Sequence, residues 1–213
     1  MKYKHIIWDW NGTLVDDTWL CVEIINKLLK KRNLKLVTLD DYKKKFMFPV
    51  REYYIELGFN FEDEPFEVSG LEFINEFKKR LFDASLYSDA EFVLDKLSDQ
   101  GITHSILSAQ NQKMLDQSVA YYNLNDKFIG INGLDNHYAH SKVNLGKSWI
   151  RKLNYNPEEV IMVGDTIHDF EVAKAIGADC LLLSFGHNSK SRLEKLNVPI
   201  VCSYKKIIDN ILY

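Results

Sequence analysis

Aspartates at the ends of apolar runs are the residues with the clearest chemical capacity in this chain. The run Ile6-Ile7-Trp8 stops at Asp9 and is followed by Trp10-Asn11-Gly12. A strand carrying that run would deliver the Asp9 carboxylate to the edge of a sheet as a nucleophile, with Gly12 supplying the permissive backbone of a sharp turn. Asn11-Gly12 is also a common turn dipeptide, so this segment alone leaves a plain turn open. Val160–Gly164 repeats the arrangement, with Asp165 at its end and Asp169 four residues on. Those two acids would equally suit the N-cap and first turn of a helix starting near Thr166. The coincidence of two strand-end acid clusters in one sheet favours chemistry, because converging carboxylates repel unless a hard cation holds them. Magnesium is the natural candidate.

Two further residues could handle an anion beside these acids. Ser108 follows the apolar run Ile102–Leu107 and could donate its hydroxyl, although a strand-end serine is also a common helix cap. Lys142 precedes a helical pattern and could neutralise a phosphate oxygen as a point charge, a solvated surface lysine being the alternative. Gly146-Lys147-Ser148 is not a nucleotide loop, since that motif needs glycine where Ser141 stands.

The elements that must position these residues follow from the periodicity. From Ile102 onward, β-branched runs alternate with helical patterns, the mark of a parallel sheet covered by helices. Strands are expected at Ile102–Leu107, Phe128–Ile131, Glu159–Gly164, Asp179–Phe185 and Pro199–Val201. Helices are expected at Asn111–Tyr122, Val143–Leu153, Asp169–Ile176, Ser191–Leu196 and Lys205–Leu212. Between residues 17 and about 100 the pattern is helical, over Asp17–Lys31, Asp40–Phe46, Val50–Leu57, Leu71–Phe82 and Asp89–Leu97, with no convincing strand. The expected fold is therefore α/β, a Rossmann-like doubly wound parallel sheet with an inserted all-helical domain. Residues 1–16 and 85–213 would form the core, and 17–84 the insert.

Taken together, the segments around Asp9, Ser108, Lys142 and Asp165 resemble the four motifs of the haloacid dehalogenase-like hydrolase superfamily, in its order. The likeness covers residues 4–16 and 102–185, and the insert resembles the small helical cap of phosphoglycolate-phosphatase-like members. That resemblance implies a phosphatase in which Asp9 attacks phosphorus and forms an aspartyl-phosphate. It implies Mg²⁺ held by the Asp9 carboxylate, the Asn11 main-chain carbonyl and Asp165, with Asp169 binding directly or through water. Ser108 and Lys142 would hold the phosphoryl group, and Lys147 is the runner-up for the lysine. The partner would be a small phosphorylated metabolite.

One position departs from the family pattern. Asn11 stands where such phosphatases carry a second aspartate, which protonates the leaving alcohol and then activates water. An amide cannot transfer that proton, and general acid–base catalysis typically contributes ~10²–10⁴-fold. Three readings follow: a phosphatase for a good leaving group, or one that borrows an acid from the cap or His168; a persistent aspartyl-phosphate that suits phosphotransfer; or a catalytically impaired protein that binds a phosphorylated metabolite. Arg51 in the insert is the residue that could meet a second anionic group, a surface position being the alternative.

Composition narrows the partners. At 213 residues with 46% hydrophobic content the chain can bury a full core. A net charge of −3 gives no electrostatic footprint for nucleic acid or an anionic membrane. The first apolar segment is far shorter than a membrane span. Cys21, Cys180 and Cys202 lack metal-type spacing, so free thiols are expected. The expectation is a cytoplasmic protein, a monomer or weak homo-oligomer.

Overall fold

The computed structural model describes residues 2–134 and 142–213. Its central sheet has six parallel strands: β1 (His5–Trp8), β4 (Thr103–Asn111), β5 (Ile131–Leu134), β6 (Val160–Gly164), β7 (Asp179–Leu183) and β8 (Ile200–Val201). They run in the order β5-β4-β1-β6-β7-β8. The switch in strand order beside β1 places Asp9 at the crevice where open α/β sheets bind ligands. β1 is buried on both faces and pairs in register with β4 and β6, matching Trp8 with Ile106 and Val163. The strand ends carrying Asp9, Ser108 and Asp165 therefore lie side by side.

Helices α5 (Ala90–Ser98), α6 (Gln112–Tyr121), α7 (Val143–Lys152), α8 (Ile167–Ile176), α9 (Lys190–Leu193) and α10 (Lys205–Leu212) accompany the sheet. The apolar core divides between its two faces. Ile6 and Trp8 pack into one cluster, whereas Ile7, Val160 and Met162 pack into the other with Val172 and Ile176 of α8. That alternation is what a two-residue side-chain period requires of a strand covered on both faces.

Four helices precede α5 between the first and second core strands: α1 (Thr18–Lys31), α2 (Leu39–Lys45), α3 (Val50–Glu56) and α4 (Phe66–Lys79). α4 begins five residues before the expected Leu71, because Pro65 occupies the N-cap with its fixed φ and starts the helix there. The expectation of no strand in this region also fails. β3 (Ser85–Leu86) pairs antiparallel with β2 (Val15–Asp16) and brings the two ends of the helical segment together. Two residues are too few for a periodic signal.

β5 lies three residues later than the expected Phe128–Ile131. Asn125–Lys127 forms a 3₁₀ turn, and Ile129 is exposed, so ladder pairing starts at Ile131 opposite Ile106. β4 continues past Leu107 to Asn111 through an irregular register, which places Ser108 inside the distorted end of the strand. Among the described residues no helix is long and apolar enough to cross a membrane, and all three cysteines are free.

Candidate active site

The first βα turn is built around Gly12, whose φ of +73° is a left-handed conformation. A Cβ there would lie 2.3 Å from the His187 ring and 2.4 Å from Asp165 Oδ2, so glycine is required by space as well as by conformation. The turn is tied to the β6 end by Thr13, whose hydroxyl donates to Asp165 Oδ1 at 2.8 Å. The other Asp165 oxygen accepts from the His187 backbone N–H at 2.5 Å.

Asp169 caps its own helix from inside. Its Oδ2 accepts from the Thr166 backbone N–H at 2.9 Å and the Thr166 hydroxyl at 2.7 Å, while Thr166 Oγ1 accepts from the Asp169 N–H. Thr166, not Asp165, is thus the N-cap, and Asp169 is the first-turn acid that completes the capping box. The second oxygen serves the site: Asp169 Oδ1 lies 2.6 Å from Lys142 Nζ.

Lys142 is the cation at the centre. Only 2% exposed, its Nζ donates to Asp9 Oδ1 at 2.7 Å and to the Leu107 carbonyl at 3.1 Å. His140 and Ser141, which precede it, lie outside the described residues. Lys147, one helical turn on, is exposed and joins none of these contacts. Oxygens of Asp9, Asp165 and Asp169 all lie within 4.8 Å of one another. Three buried carboxylates thus face one ammonium, and the electrostatics reflect the imbalance. Burial, reinforced by Asp169, pushes Asp9 up to about 8 despite the pull of Lys142. Burial also lifts Asp165 to about 6, with His187 opposing. Burial works against ionised Asp169 too, but Lys142 outweighs it and holds this carboxyl below its usual range. Lys142 itself is raised, since Asp169 and Asp9 overcome the cost of burying it. Three hard oxygen donors with a surplus of negative charge fit a divalent cation such as magnesium.

Asp9, Asn11 and Ser108 open onto one cavity of ≈ 180 Å³ between this cluster and helices α1–α4. Ser108 Oγ accepts from the Gln110 N–H at 3.1 Å, which leaves its own proton to donate. Lys142 engages Asp9 Oδ1, so Oδ2 is the oxygen free to react.

Two side chains that sequence reading did not assign complete the floor. Asp17 stands at the N-cap of α1 but makes no cap bond; its carboxylate turns back to accept from Asn11 Nδ2 at 2.7 Å and the Gly12 N–H at 2.9 Å. His187 Nε2 lies 3.3 Å from Asp17 Oδ1, and its Nδ1 lies 2.9 Å from the Tyr42 hydroxyl. Burial opposes a charged His187, but Asp17 prevails and lifts it to about 9. His187 lies just past the C-terminal end of β7, a position the strand-end rule marks. By contrast His168 is buried, contacts the Lys142 N–H at 3.4 Å and Glu171 at 3.1 Å, and does not line the cavity. Arg51 is half exposed, stacks on Phe61 and pairs with Glu52, also outside the lining.

Comparison with known proteins bears on this geometry. The family described as haloacid dehalogenase-like hydrolase matches residues 6–183. A phosphoglycolate phosphatase of Aliivibrio fischeri is 27% identical over 105 residues, 48% of this chain and 46% of that protein. The chain therefore spans about half the length of the curated relatives it matches. A crystal structure described as a predicted phosphatase from Clostridium acetobutylicum superposes with a TM-score of 0.83 at 20% identity, covering 100% of this chain and 99% of that one. A haloacid dehalogenase-like family protein from Streptococcus pneumoniae gives 0.82 at 18% identity, over 98% of each chain. These two share the fold. With the family match extending over most of its length, from β1 to the end of β7, this chain belongs to the haloacid dehalogenase-like hydrolases.

Proposed function

We propose that the protein is a magnesium-dependent phosphatase acting on a small phosphorylated metabolite through an aspartyl-phosphate on Asp9. The observation that carries this reading is the Asp9–Lys142–Asp169 cluster, with Asp165 alongside, opening onto a cavity beneath a helical segment. Residues 17–84 serve as the cap. Asp9, Asp165 and the Asn11 carbonyl would hold the cation, with Asp169 binding directly or through water. When bound, magnesium supplies positive charge beside the phosphoryl oxygens.

The chain's own residues do the rest. Asp9 Oδ2 attacks phosphorus, the phosphorus–oxygen ester bond breaks, and the electron pair leaves with the alcohol oxygen. Lys142 fixes Asp9 and balances the charge on the equatorial oxygens, while Ser108 donates to one of them. Water then attacks the aspartyl-phosphate, freeing inorganic phosphate and restoring Asp9. Positioning and charge dominate phosphoryl transfer, so a buried, preformed cluster suits it. Asn11 cannot protonate the departing oxygen, which favours substrates whose leaving group departs as a stable anion.

A second reading rests on the same amide. Without an acid/base group the aspartyl-phosphate persists, and the protein acts as a phosphotransferase or a binder. Hydrolysis of acetyl phosphate and an aryl phosphate, each with magnesium and with chelator, separates the two. Steady magnesium-dependent turnover supports the phosphatase; a single burst of product supports the persistent intermediate.

A further inference from the structure

The cavity that receives the leaving group has an unusual wall. Away from the Asp9 floor it is lined by Ile25, Phe46, Phe48, Phe73, Ile74 and Phe77 among other apolar side chains. Among its described lining residues there is no lysine or arginine, and the one cationic side chain, His187, is committed to Asp17 and Tyr42. Arg51, the insert's candidate for a second anion, faces Phe61 instead. The unpartnered polar atoms in the wall are neutral: the Tyr53 hydroxyl and the Gln110 amide are shielded from solvent without a hydrogen-bond partner. A carboxylate or second phosphate brought here would lose its water without gaining a counter-charge. A flat apolar group would bury its surface against the aromatic wall without that charge-desolvation cost.

We infer that the substrate is a phosphate monoester of an uncharged, phenol-type alcohol, an apolar aryl phosphate carrying no second anionic group. The inference rests on the phosphatase reading and deepens it through two independent features. The aromatic wall selects an apolar ring over an acid. Asn11, which cannot protonate the departing oxygen, selects a phenol, whose anion is stable, over an alkyl alcohol. A phosphorylated carboxylic acid such as phosphoglycolate satisfies neither.

The test compares kcat/KM of the full-length protein with magnesium on phenyl, 2-naphthyl, 4-carboxyphenyl and hexyl phosphates and on phosphoglycolate, with acetyl phosphate as the control for the chemistry. Phenyl phosphate should exceed hexyl phosphate at least tenfold, reporting the leaving group. 2-Naphthyl should exceed phenyl about tenfold, reporting apolar burial. The 4-carboxyphenyl ester and phosphoglycolate should fall at least tenfold below phenyl. If acetyl phosphate is hydrolysed but either carboxylate-bearing ester equals or betters phenyl phosphate, the substrate class is wrong while the phosphatase stands. Calorimetric titration of 2-naphthyl phosphate and phosphoglycolate into Asp9→Asn reads the cavity without turnover. Tighter binding of the naphthyl ester by tenfold or more supports the inference even if the enzyme proves slow, and the reverse order overturns it.

Discussion

Asn11→Asp is the perturbation with the most specific consequence. In the wild type the Asn11 amide donates to Asp17 Oδ2 at 2.7 Å, so the substitution sets two carboxyl groups face to face. Two full charges at that separation would repel by about 6 kcal/mol at an effective dielectric constant of 20. That repulsion favours a proton on the introduced carboxyl. That is the protonation state needed to assist a departing alkoxide. General acid catalysis is worth ~10²–10⁴-fold, or roughly 3–5 kcal/mol of barrier, and a hydrogen bond shared with Asp17 reduces what is realised. A rise in kcat/KM, which reports steps through cleavage of the ester bond, of at least tenfold is expected on hexyl phosphate, with little change on acetyl phosphate, whose leaving group needs no proton. Steady-state kinetics on both substrates, with circular dichroism to confirm folding, is the assay. A folded variant that shows no gain on hexyl phosphate, or an equal gain on both, refutes the argument that the missing acid limits this site.

Asp165→Ala should weaken magnesium binding, read by calorimetric titration; unchanged affinity would remove Asp165 from the cation site. Lys142→Met leaves Asp9 and Asp169 without their buried counter-charge, and should lower kcat by ~10²–10³-fold in aryl phosphate hydrolysis. A loss under threefold would mean that the ammonium is only structural. For pH dependence, His104 is informative because it lies near the start of β4, between Trp8 and α5, and joins none of the site's contacts. Burial depresses it to about 4, and it stays neutral while accepting from Trp8 Nε1 and bonding the Leu94 carbonyl. Its stabilising effect is complete above the unfolded value of 6.5 and is lost as pH falls toward 4, since the unfolded chain takes up the proton first. Between pH 7 and pH 5 wild type should lose about 2 kcal/mol more than His104→Gln in denaturant titrations, and parallel profiles would contradict this.

What could be read before the structure follows from how each feature is encoded. Asp9 and Asp165 were legible because each ends an apolar run, and a strand-end acid in an open α/β sheet has one place to go. Asn11 stood out as a departure from the family pattern, and the amide–carboxylate bond to Asp17 gives it physical content. Lys142 was a weaker signal: at the start of a helix it looks like any surface lysine, and only the fold takes it inside to meet Asp9, 133 residues away. Asp17 and His187 escaped because loops bring them together. Asp17 sits at a helix start and reads as a cap, whereas its carboxylate serves the turn before the helix. The Ser85–Leu86 strand was too short for any period, and β5 moved because a 3₁₀ turn, absent from hydrophobic patterning, consumed Asn125–Lys127. The aromatics of residues 42–77 could not be sorted in advance, because core packing and cavity lining use the same residues at the same helical spacing.

The most direct test of the central claim is to quench the protein with acid during turnover of acetyl phosphate and map the phosphorylated peptide by mass spectrometry. One phosphoryl group on the peptide containing Asp9, absent without magnesium and absent in Asp9→Asn, is the predicted result. Phosphate found on another residue, or turnover that persists in Asp9→Asn, would contradict it.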